Sequence, residues 1–445
     1  MERTIYLYWV GSEYKLITIL RKYMYIHSKH GKGYNIVLLT RKNICDYIEI
    51  PIYFDDLKPA HQADYVRVFV LEKYGGMWMD SDTLVMDSMD VFFDLLEKKE
   101  GFFFTQGNTT ISNGVFASKP NTPLLKEWKT HILRTLEKTP VKSALNWETI
   151  GNTFLTETYI KTPSLYQGYE VFKGPLTVYP INWMDCAKMY LHNPYESYKD
   201  IIRPFQPFLI LVNTVYKELE NESVQEIFQK ERPLKYFLNK GIENAPLKDL
   251  DFLEIGVSNF NMLIEEATDT TVGISAVPLR HYLDQLPDKP NVQKIQAAIT
   301  NVSETSSIDI YYIPEAFITK NNLPLWLKGC NKIGEYHPLH IKHNLQPYVQ
   351  VERVPLMAIS DVMYTYHIRQ IQHLKIDMEG HDCTILQGLF SHIRYLPSSF
   401  YPRTIEFESN ENTSPSIVTI LIQLFVSIGY MLVSRGNDTI LKYSN

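Results

Sequence analysis

The 445-residue chain predicts two successive α/β domains, each a layered open sheet. Three observations carry that expectation. From residue 4 to about 213, short β-branched or aromatic runs alternate with helical stretches. A second series of the same kind starts at Asp251 and runs nearly to the C-terminus. The length is too great for one ordinary core and suits two domains of roughly 200 residues each.

In the first domain, residues 1–213, strands are expected at 5–10, 35–40, 77–79, 101–105 and 114–118, with a helix-like segment carrying Asp64 and Arg67 ahead of the third. Residues 214–248 are richer in charge and lack strand signals. Tyr216 to Glu222 reads as a solvated helix, so a helical linker is placed there. In the second domain, residues 249–445, strands are expected at 251–256, 271–274, 294–299, 308–313, 373–377 and 404–408. A hairpin turned at Gly436-Asn437-Asp438 closes the chain. The apolar run from Ser416 to Val433 approaches the length of a membrane span. Ile417, Ile420, Leu421, Leu424, Phe425 and Ile428 nevertheless fall at helical spacing, and Gly429 ends the pattern before a short strand at 431–433. A helix packed on a sheet is expected, not a membrane span.

Composition bounds the function. With 45% hydrophobic and 21% charged residues the chain is an ordinary globular protein, and a net charge of -6 argues against a nucleic-acid surface. Cys45, Cys186, Cys330 and Cys383 form no paired spacing, which favours reduced thiols and a cytoplasmic setting over disulfides or a zinc site. The first apolar run is short and alternates like a strand, so no secretion signal is expected.

The richest stretch is Asp80-Ser81-Asp82, after the apolar run Met77-Trp78-Met79. A strand ending in two carboxylates one residue apart brings both oxygen donors near one point, where they can hold a hard divalent cation bound to a diphosphate. Gly75 and Gly76 precede that strand, and glycine lets backbone approach a ligand closely. Asp64 and Arg67, three apart on a helix, offer a carboxylate for sugar hydroxyls and a cation for phosphate charge.

The run from Ala63 to Asp82 resembles the signature of the DXD sugar transferases, which include initiating mannosyltransferases and capsular-polysaccharide transferases and are related to the large glucosylating bacterial toxins. The resemblance spans about the first 200 residues. It implies a GT-A fold, a Mn2+ or Mg2+ ion, a UDP- or GDP-linked sugar donor, a glycan acceptor, and retention at the anomeric carbon. It also implies that Trp9 stacks on the nucleobase and that Asn113 lies where sugar and acceptor approach. A His followed by Ser-Trp, placed late in that family near metal and phosphates, is matched in part by His192 and Ser197-Tyr198. His192 is thereby the expected third metal ligand and Tyr198 a donor contact.

In the second domain, Leu253-Glu254-Ile255-Gly256 reads as a strand and tight turn able to hold a nucleotide-like ligand. Leu374-Lys375-Ile376-Asp377-Met378-Glu379-Gly380 combines an apolar strand, its terminal acid and a glycine turn, and an acid at a strand end can orient or deprotonate a hydroxyl. These residues resemble the Lys-Ile-Asp-x-Glu-Gly signature of FkbM-type methyltransferases, over about 250–443. The resemblance implies a Rossmann-like domain using S-adenosylmethionine, with Glu254, Gly256 and Asn259 in the cofactor loop and Asp377 and Glu379 near the reacting hydroxyl. The family's acid before a Pro at the second strand's end is replaced by Val277, so either Ser275 substitutes in holding the ribose, or cofactor binding is weak, or this domain no longer methylates. His337, His340 and His343 lack partners at ligand spacing and are expected in a substrate lid or solvated loop.

The combined expectation is a bifunctional glycan-building enzyme that transfers a sugar and O-methylates a sugar hydroxyl. Such fusions resemble surface-glycan enzymes of bacteria and large DNA viruses, and a viral source would place the protein in host cytoplasm or virion. Two alternatives stay open: a transferase whose second domain only binds acceptor, and a glycan-binding scaffold with both sites inactive.

Overall fold

Among the described residues, the first half of the chain holds eight strands: β1 (Thr4–Tyr8), β2 (Asn35–Leu39), β3 (Gly76–Met79), β4 (Thr83–Val85), β5 (Gly101–Gln106), β6 (Thr110–Ser118), β7 (Tyr169–Phe172) and β8 (Phe208–Ile210). Six of them make one sheet in the order β2-β1-β3-β6-β5-β7, while β4 and β8 pair separately. β1 runs parallel to β2 and β3, and β6 is antiparallel to both of its neighbours. Both sheet faces are covered. Ile5, Leu7, Met77 and Met79 pack on one side, and Tyr6, Tyr8, Trp78 and Phe116 on the other. That double burial explains why these strands read as apolar runs instead of clean alternations.

This computed structural model describes residues 2–106, 110–172, 183–192, 207–256, 262–303, 305–410 and 413–444. They divide into two units, Met1–Pro246 and Leu247–Asn445. The stretch expected as a solvated linker therefore falls mostly within the first unit. It carries helices Asn213–Glu218, Val224–Gln229 and Pro233–Glu243. The last buries Leu234, Phe237 and Leu238, receives a hydrogen bond from Tyr23 Oη at Leu238 O (2.9 Å), and lies against His27 through Gly241 O (2.8 Å). The apolar residues at helical spacing outweigh the local charge, and the helix joins a core.

The second unit contains β9 (Lys248–Ile255), β10 (Gly273–Ala276), β11 (Val292–Ile295), β12 (Ala298–Thr300), β13 (Ser307–Tyr312), β14 (Lys332–Ile333), β15 (Gln350–Ala358), β16 (Ile368–Ile376), β17 (Thr404–Glu408), β18 (Tyr430–Arg435) and β19 (Asp438–Tyr443). Its main sheet runs β11-β10-β9-β16-β17-β19-β18, parallel except for β19, which is antiparallel to β17 and β18. The order reverses between β9 and β16, the crevice where open α/β sheets bind ligands beyond their strand ends. A smaller sheet, β12-β15-β13-β14, accompanies it. The strand expected over 294–299 is thus two strands in two sheets, broken after Ile295 because β11 pairs with β10 and β12 with β15.

The expected C-terminal helix spans Pro415–Val426 and buries Val418, Leu421, Ile422 and Phe425. Its inward stripe is rotated from the expected one: Ile417 and Ile420 are exposed. Ser427 caps the helix, and Gly429, at φ 104°, turns the chain into β18. Among the described residues no helix is long and apolar enough to cross a membrane. All four cysteines are free thiols.

Candidate functional site

In the first unit the acid pair emerges where β3 ends. Asp80 N donates to Gly114 O on β6 (2.7 Å), Thr83 N to Asp80 O (3.1 Å), and Leu211 N to Asp82 O (2.8 Å), so the turn carrying both acids is fixed from three sides. Ser81 Oγ adds a bond to Tyr8 O at 3.0 Å. Asp80 Oδ1 accepts from Trp78 Nε1 (2.8 Å) and Arg67 Nη2 (3.1 Å). Asp82 Oδ1 is buried without a hydrogen-bond partner among the described residues. Burial and the neighbouring Asp80 push the Asp82 carboxyl well above the ordinary carboxylate range. Two adjacent acids, one with an unmet oxygen, are what a hard divalent cation would satisfy.

Helix Pro59–Tyr74 brings Asp64 and Arg67 to the same place. Both are buried, and Arg67 directs its N–H groups to Ala63 O (3.2 Å), Asn113 O (2.5 Å) and Asp80 Oδ1 (3.1 Å), with its guanidinium over the Trp78 ring. Arg67 is therefore chiefly a clamp on the acids, not the freely offered phosphate ligand expected from sequence. Asn113 Nδ2 donates to Asp64 Oδ1 (2.7 Å), and Asn113 N to Asn152 Oδ1 (3.0 Å). Trp9, Asp64, Arg67, Asp80, Asp82 and Asn113 all line one cavity of about 480 Å3.

Other expected residues are placed elsewhere. Gly75 and Gly76 do not line the cavity. Gly75, at φ 67°, ends the helix, and a Cβ on Gly76 would meet Thr4 O at 2.8 Å, so the pair serves helix termination and strand approach. His192 does not join the acids in a compact trio among the described residues; its Nε2 faces Glu218 Oε2 at 2.6 Å near the surface. Tyr198 lies outside the described residues, as does Ser197. Sequence reasoning missed Tyr14, Trp147, Glu148, Asn152, Tyr216 and Lys217, which complete the wall. Their signal is weak because long-range packing brings them in. Tyr14 and Tyr216, for example, meet with ring centroids 4.9 Å apart across two hundred residues of chain.

In the second unit, Asp377 N donates to Ile255 O (2.9 Å), Gly256 N to Ala276 O (2.9 Å) and Val277 N to Ile295 O (2.9 Å). Four parallel strands thus end level, and Gly256, Val277, Asp377 and Glu379 line a cavity of about 320 Å3 with Tyr282, Asn331 and Lys332. Gly256 is required there: at φ 90°, an added Cβ would lie 2.3 Å from Asp377 O. Glu254 and Ser275 are instead fully buried and do not line it. Ser275 Oγ donates to Glu254 Oε1, while Glu254 Oε2 accepts from Leu263 N (2.7 Å), so both brace the strand ends. Asn259 lies outside the described residues. His337 and His340 are buried, not part of a solvated loop, and His337 Nδ1 caps the helix Pro338–Lys342 by accepting from Leu339 N.

Asp377, Glu379 and Glu408 bring carboxylate oxygens within 4.8 Å of one another. Burial and the surrounding acids push Glu408 up to about 9, and burial with Asp377 pushes Asp382 up to about 7. For S-adenosylmethionine the fit is divided. The acids suit a cationic sulfonium, whereas the end of β10 presents the apolar Val277, Pro278 and Leu279 where ribose hydroxyls need an acceptor.

Residues 1–172 match the capsular polysaccharide synthesis protein family. The chain matches no curated protein sequence. Among solved structures it is similar to a glycosyltransferase involved in the glycosylation of the major capsid of PBCV-1, at 16% identity over 49% of this chain and 98% of that one, with a TM-score of 0.30. It is also similar to the glycosyltransferase GlyE of Streptococcus pneumoniae TIGR4, at 12% identity over 73% and 90% of the two chains, TM-score 0.30. The PaToxG glycosyltransferase matches at 15% identity over 37% and 70%, TM-score 0.26. Likenesses this distant do not bear on function.

Proposed function

We propose that the first unit is a metal-dependent, retaining glycosyltransferase acting on a nucleotide sugar. One observation carries the reading: Asp80 and Asp82 end a strand in the wall of the same cavity as Asp64, Arg67 and Asn113, with Asp82 Oδ1 lacking a hydrogen-bond partner among the described residues. The match of residues 1–172 to the capsular polysaccharide synthesis family supports it. Asp80 and Asp82 would hold a Mn2+ or Mg2+ ion, which when bound supplies positive charge for the departing diphosphate. Asp64, oriented by Asn113, accepts hydroxyl hydrogens of the donor sugar, and Arg67 holds Asp64 and Asp80 in place and favours their charged forms against the opposing effect of burial. Trp9, Tyr14 and Tyr216 supply aromatic faces for a nucleobase. Retention follows from front-face attack: the bond to the diphosphate breaks, the acceptor oxygen bonds on that same face, and its proton passes to the leaving group. The test is release of sugar from UDP- and GDP-sugars with Mn2+ and with chelator. Equal release under both conditions, or none from any donor, removes the reading.

For the second unit we propose S-adenosylmethionine-dependent O-methylation of a sugar hydroxyl. The strand order, the Gly256 turn and the acids at the end of β16 support it. Asp377 and Glu379 would hold or deprotonate the hydroxyl, and S-adenosylmethionine when bound supplies the methyl group. A second reading is favoured by one observation: Val277 offers no acceptor and the Ser275 hydroxyl is committed to Glu254. On that reading the unit binds acceptor without methylating. Calorimetry with S-adenosylmethionine separates them, a micromolar dissociation constant supporting methylation and no binding supporting the second.

A further inference from the structure

Resting on the transferase reading of the first unit, we propose that Trp147 and Glu148 form its acceptor subsite, and that the subsite takes an uncharged pyranose ring of a glycan. Trp147 lines the cavity yet stays 69% exposed, an unusual state for the largest apolar side chain. The segment that carries it is pinned. His61 Nε2 bonds Asn146 O (3.0 Å), His131 Nε2 bonds Thr149 O (3.2 Å), and Trp128 Nε1 donates to Ile150 O (2.7 Å). Gly151 N and Thr153 N both donate to Glu148 O, at 3.1 and 3.2 Å. Two helices, Pro59–Tyr74 and Pro123–Lys138, thus hold an indole in the open, and preorganised aromatic faces are the cheapest way to bind a sugar ring.

The position selects acceptor over donor base. A Cβ on Gly151 would meet Asn113 Nδ2 at 2.6 Å and the Asp64 carboxylate at 3.1 Å, so the segment closes directly against the pair assigned to the donor sugar. The aromatic wall assigned to the base includes Tyr14 and Tyr216, whose ring centroids lie 4.9 Å apart. A pyranose stacked on Trp147 would therefore present its hydroxyl to the anomeric carbon.

Charge selects the kind of ring. The cations among the described lining residues are Arg67, engaged with Ala63, Asn113 and Asp80, and Lys217, which follows Tyr216 on the helix Asn213–Glu218. Glu148 stands beside Trp147 and accepts hydroxyl hydrogens, but it repels a carboxylate. A uronate or sialate ring stacked on Trp147 would meet Glu148 and Asp64, and of the two lining cations Arg67 is already engaged.

The experiment titrates the intact protein, with Mn2+ and either UDP or GDP present, with the methyl glycosides of glucose, galactose, mannose, fucose and xylose by saturation-transfer NMR. At least one should bind, Trp147→Ala should weaken it at least about tenfold, and Trp147→Phe should restore most of the loss. The uronate of whichever hexoside binds should bind less well, and Glu148→Gln should narrow that gap. Unchanged binding in Trp147→Ala, binding of none of the five, or a uronate that binds as well as its parent overturns the proposal. Nucleotide affinity is read on the same samples. Glycoside binding lost with Trp147 supports the subsite whatever the nucleotide does, and nucleotide binding alone decides the donor reading.

Discussion

Replacing Asp82 by Asn should stabilise the metal-free protein while removing its response to metal. Asp80 and Asp82 place two carboxylates at the end of one strand, and Arg67 bonds Asp80 but does not reach Asp82 Oδ1, which has no hydrogen-bond partner among the described residues. The folded state therefore holds the Asp82 carboxyl above its unfolded value, with burial as the first cause and Asp80 as the second. A carboxyl raised in this way favours the fold below its unfolded pKa and works against it once pH passes the folded value. At neutral pH its ionisation is a cost. An unsatisfied buried acceptor costs about 1–3 kcal/mol, and Asn removes the charge while its amide hydrogens find the Asp80 carboxylate. For a unit of this size that corresponds to a rise in melting temperature of roughly 2–10 °C in chelator.

Metal reverses the order. In the wild type, Mn2+ with a nucleoside diphosphate should raise the melting temperature by mass action, because it binds the folded state alone. In Asp82→Asn the rise should shrink to a small fraction, and sugar release should stop. Thermal unfolding followed in chelator, then in Mn2+ with UDP or GDP, reads both halves on two proteins. A variant that melts below the wild type in chelator, or that responds to Mn2+ as fully as the wild type, would refute the argument from the orphaned oxygen.

Burial holds His27 at about 4, below its ordinary value, and proton uptake by the unfolded chain should cost the first unit about 3 kcal/mol as pH falls from 6.5 to 4. His27→Gln should flatten that slope in denaturant titrations; an unchanged slope would assign it elsewhere. Gly256→Ala should destabilise the second unit by more than about 2 kcal/mol, since its Cβ meets Asp377 O at 2.3 Å in a left-handed conformation. Chemical denaturation checks it, and a neutral result would mean the turn relaxes. Val277→Asp, which adds the missing acceptor to the cavity, should tighten S-adenosylmethionine binding about tenfold in calorimetry at some loss of stability. No gain would place the ribose elsewhere.

Local signals carried the acid pair and little of what surrounds it. Asp80, Asp82, Asp64 and Asn113 share a cavity as their strand and helix positions suggested, because each sits at a regular element's end or on one helix face. His192 did not follow, because proximity in a motif cannot say whether Glu218 will claim its ring. Gly75 and Gly76 carried a true signal with the wrong cause: positive φ is needed there to turn a helix into a strand that lies on Thr4, not to admit a ligand. The charged look of Tyr216 to Glu222 suggested a solvated helix, yet the helix Asn213–Glu218 feeds Tyr216 and Lys217 into the cavity wall. Glu254 and Ser275 show the same limit in the second unit, where a strand-end acid is spent on a hydroxyl and a backbone amide.

The two units also show why clustered acids do not have one meaning. In the second, Asp377, Glu379 and Glu408 lie as close as metal ligands do. Glu408, at about 9, keeps a proton at neutral pH, so that cluster can settle its repulsion by sharing hydrogen. Asp382 beneath it accepts from Met378 N and Glu408 N, which spends its charge on backbone. In the first unit, by contrast, Arg67 lies 3.1 Å from Asp80 and favours its charged form, and Asn113 donates to Asp64. Those contacts only partly offset burial, which still raises the Asp64, Asp80 and Asp82 carboxyls above their ordinary range. A bound cation would offset that cost in the first unit, whereas the second unit's cluster can hold a proton and is suited to handling a hydroxyl.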